Sequence, residues 1–306
     1  MATIARPAVT HASEDWELPR DKPLIVRLLN PWLHNPAGFI GLFIVIAFFV
    51  LGIIGPYIAP YDPRALDAPS RLQSPSMAHP FGTTQFGQDI LSRILEGTRL
   101  SMKFGAAVMI FGFIPGTVLG ILSGYFGRWA DYAIQRSGEA WTAFPQLPIL
   151  LTVIAAIGPG LKAVVIVVAI SALFGGSRLL RAVALIERHK EYVFAARSTG
   201  ASEARVLLRH VVPNIMPYIL VGLSSVFALA ILAEATLSFL GLGVEQGTPG
   251  WGIDLADGRA RSNEYPHLVI FYGLAISIVV LGFNLLGDTL RDILDPRLRG
   301  STGPRK

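Results

Sequence analysis

Cysteine is absent from this chain of 306 residues, and charge is scarce. Without Cys there is no disulfide, no thiolate zinc site and no iron–sulfur cluster held by thiolates. Asp, Glu, Lys and Arg make up only 15% of the residues, against about 25% in an ordinary soluble domain. His11, His34, His79, His189, His210 and His267 show no metal-ligand spacing, so no metal is assigned. There is no GxSxG elbow and no Ser/His/Asp constellation, which leaves a catalytic role without residues to rest on. What fills the chain is apolar: 52% of it is hydrophobic, with a mean hydropathy of +0.52. The formal charge of +5 fits nucleic acid, anionic lipid or membrane orientation, and the placement of the cations decides among them.

Six segments are long and apolar enough to span a bilayer, which needs about 20 residues each. They are Ala37 to Ile58, Phe104 to Phe126, Ser137 to Ile157, Ala163 to Leu180, Pro217 to Leu240 and Leu268 to Leu286. The first begins only after Pro36, too late and too long for a secretory signal, so it reads as an uncleaved anchor. Before it, Leu24, Ile25, Leu28, Leu29 and Trp32 suggest a helix lying on the membrane surface. Gly112, Gly116, Gly120 and Gly124 recur every four residues in the second span, a groove that lets another helix approach closely. The third span, with Glu139, Pro145, Gln146 and Pro148, is expected to be irregular and lined by protein.

Lys and Arg set the orientation. Four precede the first span, two lie between spans two and three, seven between four and five, and five after six; the outer segments hold eight. Both termini therefore face inward. The excess of cations reports topology, and no basic domain or aromatic platform is left for nucleic acid. Residues 1–36 form an inner segment, 59–103 an outer one with an amphipathic helix, 104–290 a five-helix core and 291–306 a tail. In the outer helix Ile90, Leu91, Ile94 and Leu95 share a face, and Asp89 and Arg93 are spaced to pair.

The largest inner loop, 181–216, interrupts the apolar chain with charge. Its pattern predicts two short amphipathic helices. Gly200 sits at the joint, where a helix C-cap calls for a left-handed residue. Ser202 can cap the second helix, with Glu203 in its first turn, and Pro213 suits the start of the fifth span. From pattern alone this hairpin either packs only on its own domain or presents itself to a partner.

Ala195-Ala196, then Gly200 after three intervening residues, followed by His210-Val-Val-Pro213-Asn214, resembles the EAA loop of ABC importer permeases. YVFAARSTGAS and RHVVPN are similar, more narrowly, to the C-type permease subunit of dipeptide and oligopeptide importers. HPFGTTQFGQDILSRILEGTRLS (79–101) and EATLSFLGLGVEQGTPGWG (234–252) are similar to two further segments of that family. The resemblance implies an all-α membrane protein of six transmembrane helices with the type I importer permease fold. It implies that the loop 188–213 couples to a separate ATPase, carried by Tyr192, Phe194, Ala195, Ala196, Arg197, Gly200, Ala201, Ser202, His210 and Pro213. Implied partners are a B-type permease chain, two ATPase subunits or one fused ATPase, and an extracytoplasmic peptide-binding protein. The chain has no GxxxxGK[ST] motif, so ATP and Mg would be bound by those ATPases. Phe194 stands where the family usually has Glu, Thr84 where it often has Asp, and Gln88 where it often has Arg. The last two suggest a charged pair replaced as a unit.

Glu234, with Ser238 and Phe239, is a weak candidate for the pathway or outer gate. Its carboxylate would either line the path and attract an ammonium group or brace the outer turn near Gly241. Glu139 is expected to be solvated or paired with Arg136, and Asp288, Arg291, Asp292, Asp295, Arg297 and Arg299 to form a solvated tail. The rivals are a secondary transporter, which would need an intramembrane ion site, and a membrane-embedded enzyme. Within the family, nickel chelates, glutathione and haem are alternative cargoes.

Overall fold

A computed structural model describes residues 36–294; the surface helix expected around Leu24 to Trp32 and the tail beyond residue 294 lie outside them. The described residues are helical, apart from loops and one antiparallel bridge between Thr83 and Asp89. We number the helices α1 (Pro36–Ile58), α2 (Ile90–Phe126), α3 (Arg128–Thr142), α4 (Gln146–Ile157), α5 (Leu161–Glu187), α6 (Glu191–Ser198), α7 (Glu203–Phe239), α8 (Trp251–Arg259) and α9 (His267–Leu294).

Five helices (α1, α2, α5, α7 and α9) are long and apolar enough to cross a membrane, and the pair α3 and α4, bent by 88°, is a broken sixth. The break follows from Pro145, whose ring disfavours helical backbone at Phe144; Pro145 itself is extended and caps α4. The expectation that this span is lined by protein does not hold within this chain: Leu150 is the one buried residue of α4, while Leu147, Leu151 and Ile157 are exposed.

The expected separation of an outer amphipathic helix from the second span is absent. α2 runs unbroken for 37 residues, about 55 Å at 1.5 Å per residue, well beyond a hydrocarbon core of about 30 Å. Its outer turns are buried on several sides, at Ile90, Ser92, Arg93, Leu95, Gly97, Thr98 and Ser101, because the loop 59–89 and α8 wrap them. Most of this segment is covered by protein, with Leu91, Ile94, Arg99 and Leu100 only half-buried. The fifth span likewise starts earlier than Pro217: α7 begins at Glu203, so the second short helix of the inner loop is its first turn.

Both 37-residue helices contain a π-turn, Met109–Phe113 and Leu207–Val211. In each, the N–H just after the turn reaches five residues back, Ile114 to Met109 and Val212 to Leu207. Each π-turn is followed by a proline at the second position beyond it, Pro115 and Pro213. Proline has no N–H and its ring crowds the carbonyl four residues earlier; widening the preceding turn relieves both problems without ending the helix. Pro213 therefore sits inside α7, ten residues from its start.

The glycine stripe of α2 meets α5. A Cβ added at Gly112, Gly116, Gly120 or Gly124 would lie 2.4, 2.2, 2.4 and 2.4 Å from the carbonyl oxygens of Ala169, Leu173, Ser177 and Arg181. Both series advance by four, so the two helices run parallel with backbone against backbone. Elsewhere aromatic rings fill the core: Phe227 stacks on Phe283 at 4.5 Å, and Phe48 meets Phe227, Phe283 and Trp251 edge-on, tying α1, α7, α8 and α9 together. Gly38 of α1 lies against Thr289 of α9, and Gly55 against Leu95 of α2. The start of α1 and the end of α9 therefore share the end of the bundle that carries α6.

Candidate functional site

At the end of the bundle that carries α6, the inner one by the distribution of cations, α5 passes into α6 through Arg188 to Lys190. Arg188 leaves α5 to donate to the carbonyls of Gly124 and Tyr125, both at 3.1 Å, a cation on the exposed carbonyl end of α2. Glu187 is buried and accepts from the Tyr192 hydroxyl at 2.6 Å and from Lys190 Nζ at 2.7 Å. Burial, and then the Glu187 carboxylate, push the Tyr192 phenol well above its usual range, so it stays protonated and donates. Val193 is buried in the core. Glu191 in the first turn and Arg197 in the last both suit the helix dipole.

The family motif has a direct geometric reason. Gly200 N–H donates to the Arg197 carbonyl at 2.9 Å and Ala201 N–H to the Ala196 carbonyl at 3.2 Å, while Gly200 takes φ +81°. This is a Schellman closure, in which the left-handed position falls on glycine. Ser202 Oγ then accepts from Arg205 N–H at 3.4 Å and starts α7. Phe194, 51% exposed, and Ala195 are left outward on α6. Ile186 and Leu208, each 68% exposed, add apolar surface at the same end.

The structure thus brings Tyr192, Phe194, Ala195, Ala196, Arg197, Gly200, Ala201 and Ser202 into one hairpin. His210 and Pro213 lie apart from it, in and just beyond the π-turn of α7; the His210 carbonyl accepts from Asn214 Nδ2 at 2.6 Å. Sequence reasoning missed the anchor of the hairpin. Tyr125, at the end of the glycine stripe, donates its hydroxyl to Glu203 Oε2. Arg197 Nη2 donates to that hydroxyl at 3.3 Å and to Glu203 Oε2 at 3.0 Å, with its guanidinium over the Tyr125 ring. Residues 72 and 78 positions apart leave no local signal of such a contact.

At the outer end, Glu234 is fully buried. It accepts from Ser101 Oγ of α2 at 3.2 Å and from Ser238 Oγ at 2.9 Å. Ser238 in turn accepts from Val244 N–H at 3.4 Å. The carboxyl group is enclosed within this chain and reaches the outer turn through Ser238, with no direct bond near Gly241. Phe239, half-buried, carries the Arg259 guanidinium over its ring at 5.4 Å. Glu139 pairs with Arg136 at 2.6 Å on the surface, and Asp288, Arg291 and Asp292 are exposed on the last turns of α9.

Asp89 and Arg93 do not pair. Asp89 caps α2, accepting from Ser92 N–H at 2.8 Å, and also meets His79 at 2.9 Å. Arg93 grips Asp254 of α8 with Nε and Nη2, the shortest contact being 2.6 Å. The capping role leaves Asp89 pointing back along the helix axis, so Arg93 finds its carboxylate 161 residues away. Thr84 and Gln88 do lie together: Gln88 N–H donates to Thr84 Oγ1 at 3.2 Å and Thr84 N–H to the Gln88 carbonyl at 2.9 Å.

A bundle of five crossing helices plus a broken sixth, with a short motif-bearing helix held outside it at the end rich in Lys and Arg, is the architecture of a multi-pass inner-membrane transport subunit. The family described as "binding-protein-dependent transport system inner membrane component" matches residues 116–300, and the "N-terminal TM domain of oligopeptide transport permease C" matches residues 29–75. The chain belongs to this permease family. A dipeptide transport system permease protein of Alkalihalophilus pseudofirmus is 38% identical over 278 residues, 89% of this chain and 91% of the relative. A putative peptide transport system permease protein of Brucella suis is 40% identical over 260 residues, 85% and 88% of the two chains. A glutathione transport system permease protein of Pectobacterium atrosepticum is 41% identical over 275 residues, 89% and 90%.

Proposed function

We propose that this chain is one half of the translocation pathway of an ATP-driven importer of di- or oligopeptides, and that α6 is the element that receives the ATPase. The observation that carries the reading is the hairpin itself. α6 is fastened to the bundle by Val193 and Tyr192 on one side and leaves Phe194 and Ala195 uncovered on the other. Phe194 in place of the family's Glu replaces a charged contact to the ATPase with apolar burial. The working complex contains a B-type permease chain, two ATPase subunits or one fused ATPase that bind ATP and Mg, and an extracytoplasmic peptide-binding protein. This chain contributes no catalytic group. ATP binding closes the ATPases, the docked α6 moves with them, and the long helices tilt to switch access from outside to inside.

Glutathione is the second cargo to weigh, since relatives named for glutathione and for dipeptides have similar identity to this chain. The test is reconstitution of the purified complex in liposomes, with radiolabelled Ala-Ala and radiolabelled glutathione in separate arms. ATP-dependent accumulation of Ala-Ala supports the peptide reading. Accumulation of glutathione alone reassigns the cargo, and accumulation driven by a proton gradient without ATP overturns the reading.

A further inference from the structure

We infer that Tyr125, Arg197 and Glu203 form a strut that carries movement of α6 to α2, making Tyr125 a positioning residue for transport; this rests on the coupling role proposed for α6. The chain joins α6 directly only to α5 and α7. Between the end of α2 at Phe126 and the start of α6 at Glu191 lie 64 residues, and α2 reaches α6 through side chains alone. Tyr125 is 3% exposed, so its hydroxyl must be satisfied inside the protein. Both of its capacities are used: it accepts from Arg197 of α6 and donates to Glu203 of α7. Arg197 also bonds Glu203 at 3.0 Å, closing a triangle across three helices, and its cation lies 5.6 Å from the Tyr125 ring centre. Charge-assisted bonds of this kind are the stronger class.

What α2 receives, α5 shares. The glycine stripe holds the inner half of α2 on α5 by backbone contact, and Arg188 clamps the last carbonyls of α2 from the end of α5. Neither tie involves α6. Removing the Tyr125 hydroxyl therefore takes away both hydrogen bonds of the strut, leaving only the ring under Arg197, while α2 stays seated on α5; this separates transmission from simple loss of structure.

The experiment uses the full complex in liposomes and reads uptake and ATP hydrolysis in the same vesicles. With Tyr125→Phe, uptake per ATP falls about tenfold while hydrolysis stays at or above the wild-type rate. Glu203→Gln keeps an acceptor oxygen and falls less, about threefold, and the double variant is no worse than Tyr125→Phe alone, because the residues act as one unit. An unchanged ratio in Tyr125→Phe, or uptake and hydrolysis falling together, overturns the strut. A second measurement needs no cargo. The chain has no Cys, so Phe126→Cys and Ser198→Cys place two spin labels at known sites in it. Their separation stays constant between nucleotide-free and ATP-bound wild-type complex and changes by several ångströms, on the scale of known helix shifts, when Tyr125→Phe is added. A wild-type separation that changes as much as in the variant overturns the proposal, whatever the complex transports. Failure of wild type to import either probe counts against the proposed function alone.

Discussion

Two short helices sit at opposite ends of this bundle, and they are held in opposite ways. α8, nine residues at the outer end, is sunk into the protein: Trp251, Gly252, Ile253, Asp254 and Gly258 are all buried. A Cβ on Gly252 would lie 2.2 Å from the Ala235 carbonyl oxygen, and one on Gly258 2.5 Å from that of Leu268. Trp251 Nε1 donates to the Ile94 carbonyl at 3.1 Å, and Asp254 is clasped by Arg93. α6, eight residues at the inner end, buries only Val193. Tyr192 and Ala196 pack partly against the core, and its remaining fastenings are polar. The outer helix closes a rigid shell by packing; the inner one is a handle on polar tethers, and a handle has to be reachable. Membrane proteins concentrate low local stability where they must move, and here the division falls cleanly between the two ends.

The sharpest way to break this comparison is at α8. Asp254→Ala leaves Arg93 buried without its carboxylate. A loss of about 3–5 kcal/mol follows from such a broken buried pair, seen as a much lower melting temperature of the purified complex or as failure to accumulate in the membrane. Near-normal stability would mean that the outer shell is not the rigid end. Next comes the stripe: Gly116→Ala forces a methyl against the Leu173 carbonyl and costs about 1–3 kcal/mol by overpacking, measured by the same melting experiment. Gly200→Val is smaller and local. Nothing lies within 4 Å of a Cβ there, so the cost is the left-handed backbone alone, about 1–2 kcal/mol. Its signature is an unchanged amount of chain in the membrane with uptake uncoupled from ATP hydrolysis; uptake at the wild-type level would remove α6 from the mechanism. Smallest in stability is Phe194→Ala, within about 0.5 kcal/mol, because the ring is half in solvent. It should nonetheless weaken retention of the ATPase about tenfold in a pull-down titration, as loss of an exposed aromatic anchor does. A Phe194→Ala chain that melts early but holds its ATPase would reverse the assignment of handle and shell.

Much of the hairpin was legible because its signals are local. A Gly two residues before Ser202-Glu203 specifies a left-handed closure followed by a capped helix, and both appear. The spans were legible because each is a long apolar run. The rest needed distance information. A glycine stripe says that a helix comes close but not which one, and only packing names α5. Asp89 and Arg93 have helix-pair spacing, yet Asp89 is taken by the N-terminus it caps. The break expected near residue 103 fails because the outer turns of α2 are covered by protein, and composition cannot distinguish covering by protein from covering by water. Neither π-turn has a residue signature of its own; each is the local answer to a proline two positions later.

The parallel seam between α2 and α5 has a mechanical consequence. At Gly112, Gly116, Gly120 and Gly124 the seam is backbone against backbone, so few side-chain rotamers are free to absorb a displacement. Two rods glued face to face this way resist shear as a laminated beam does. A push at the Arg181 end arrives at the Ala169 end with little lag, roughly three helical turns deeper in the membrane.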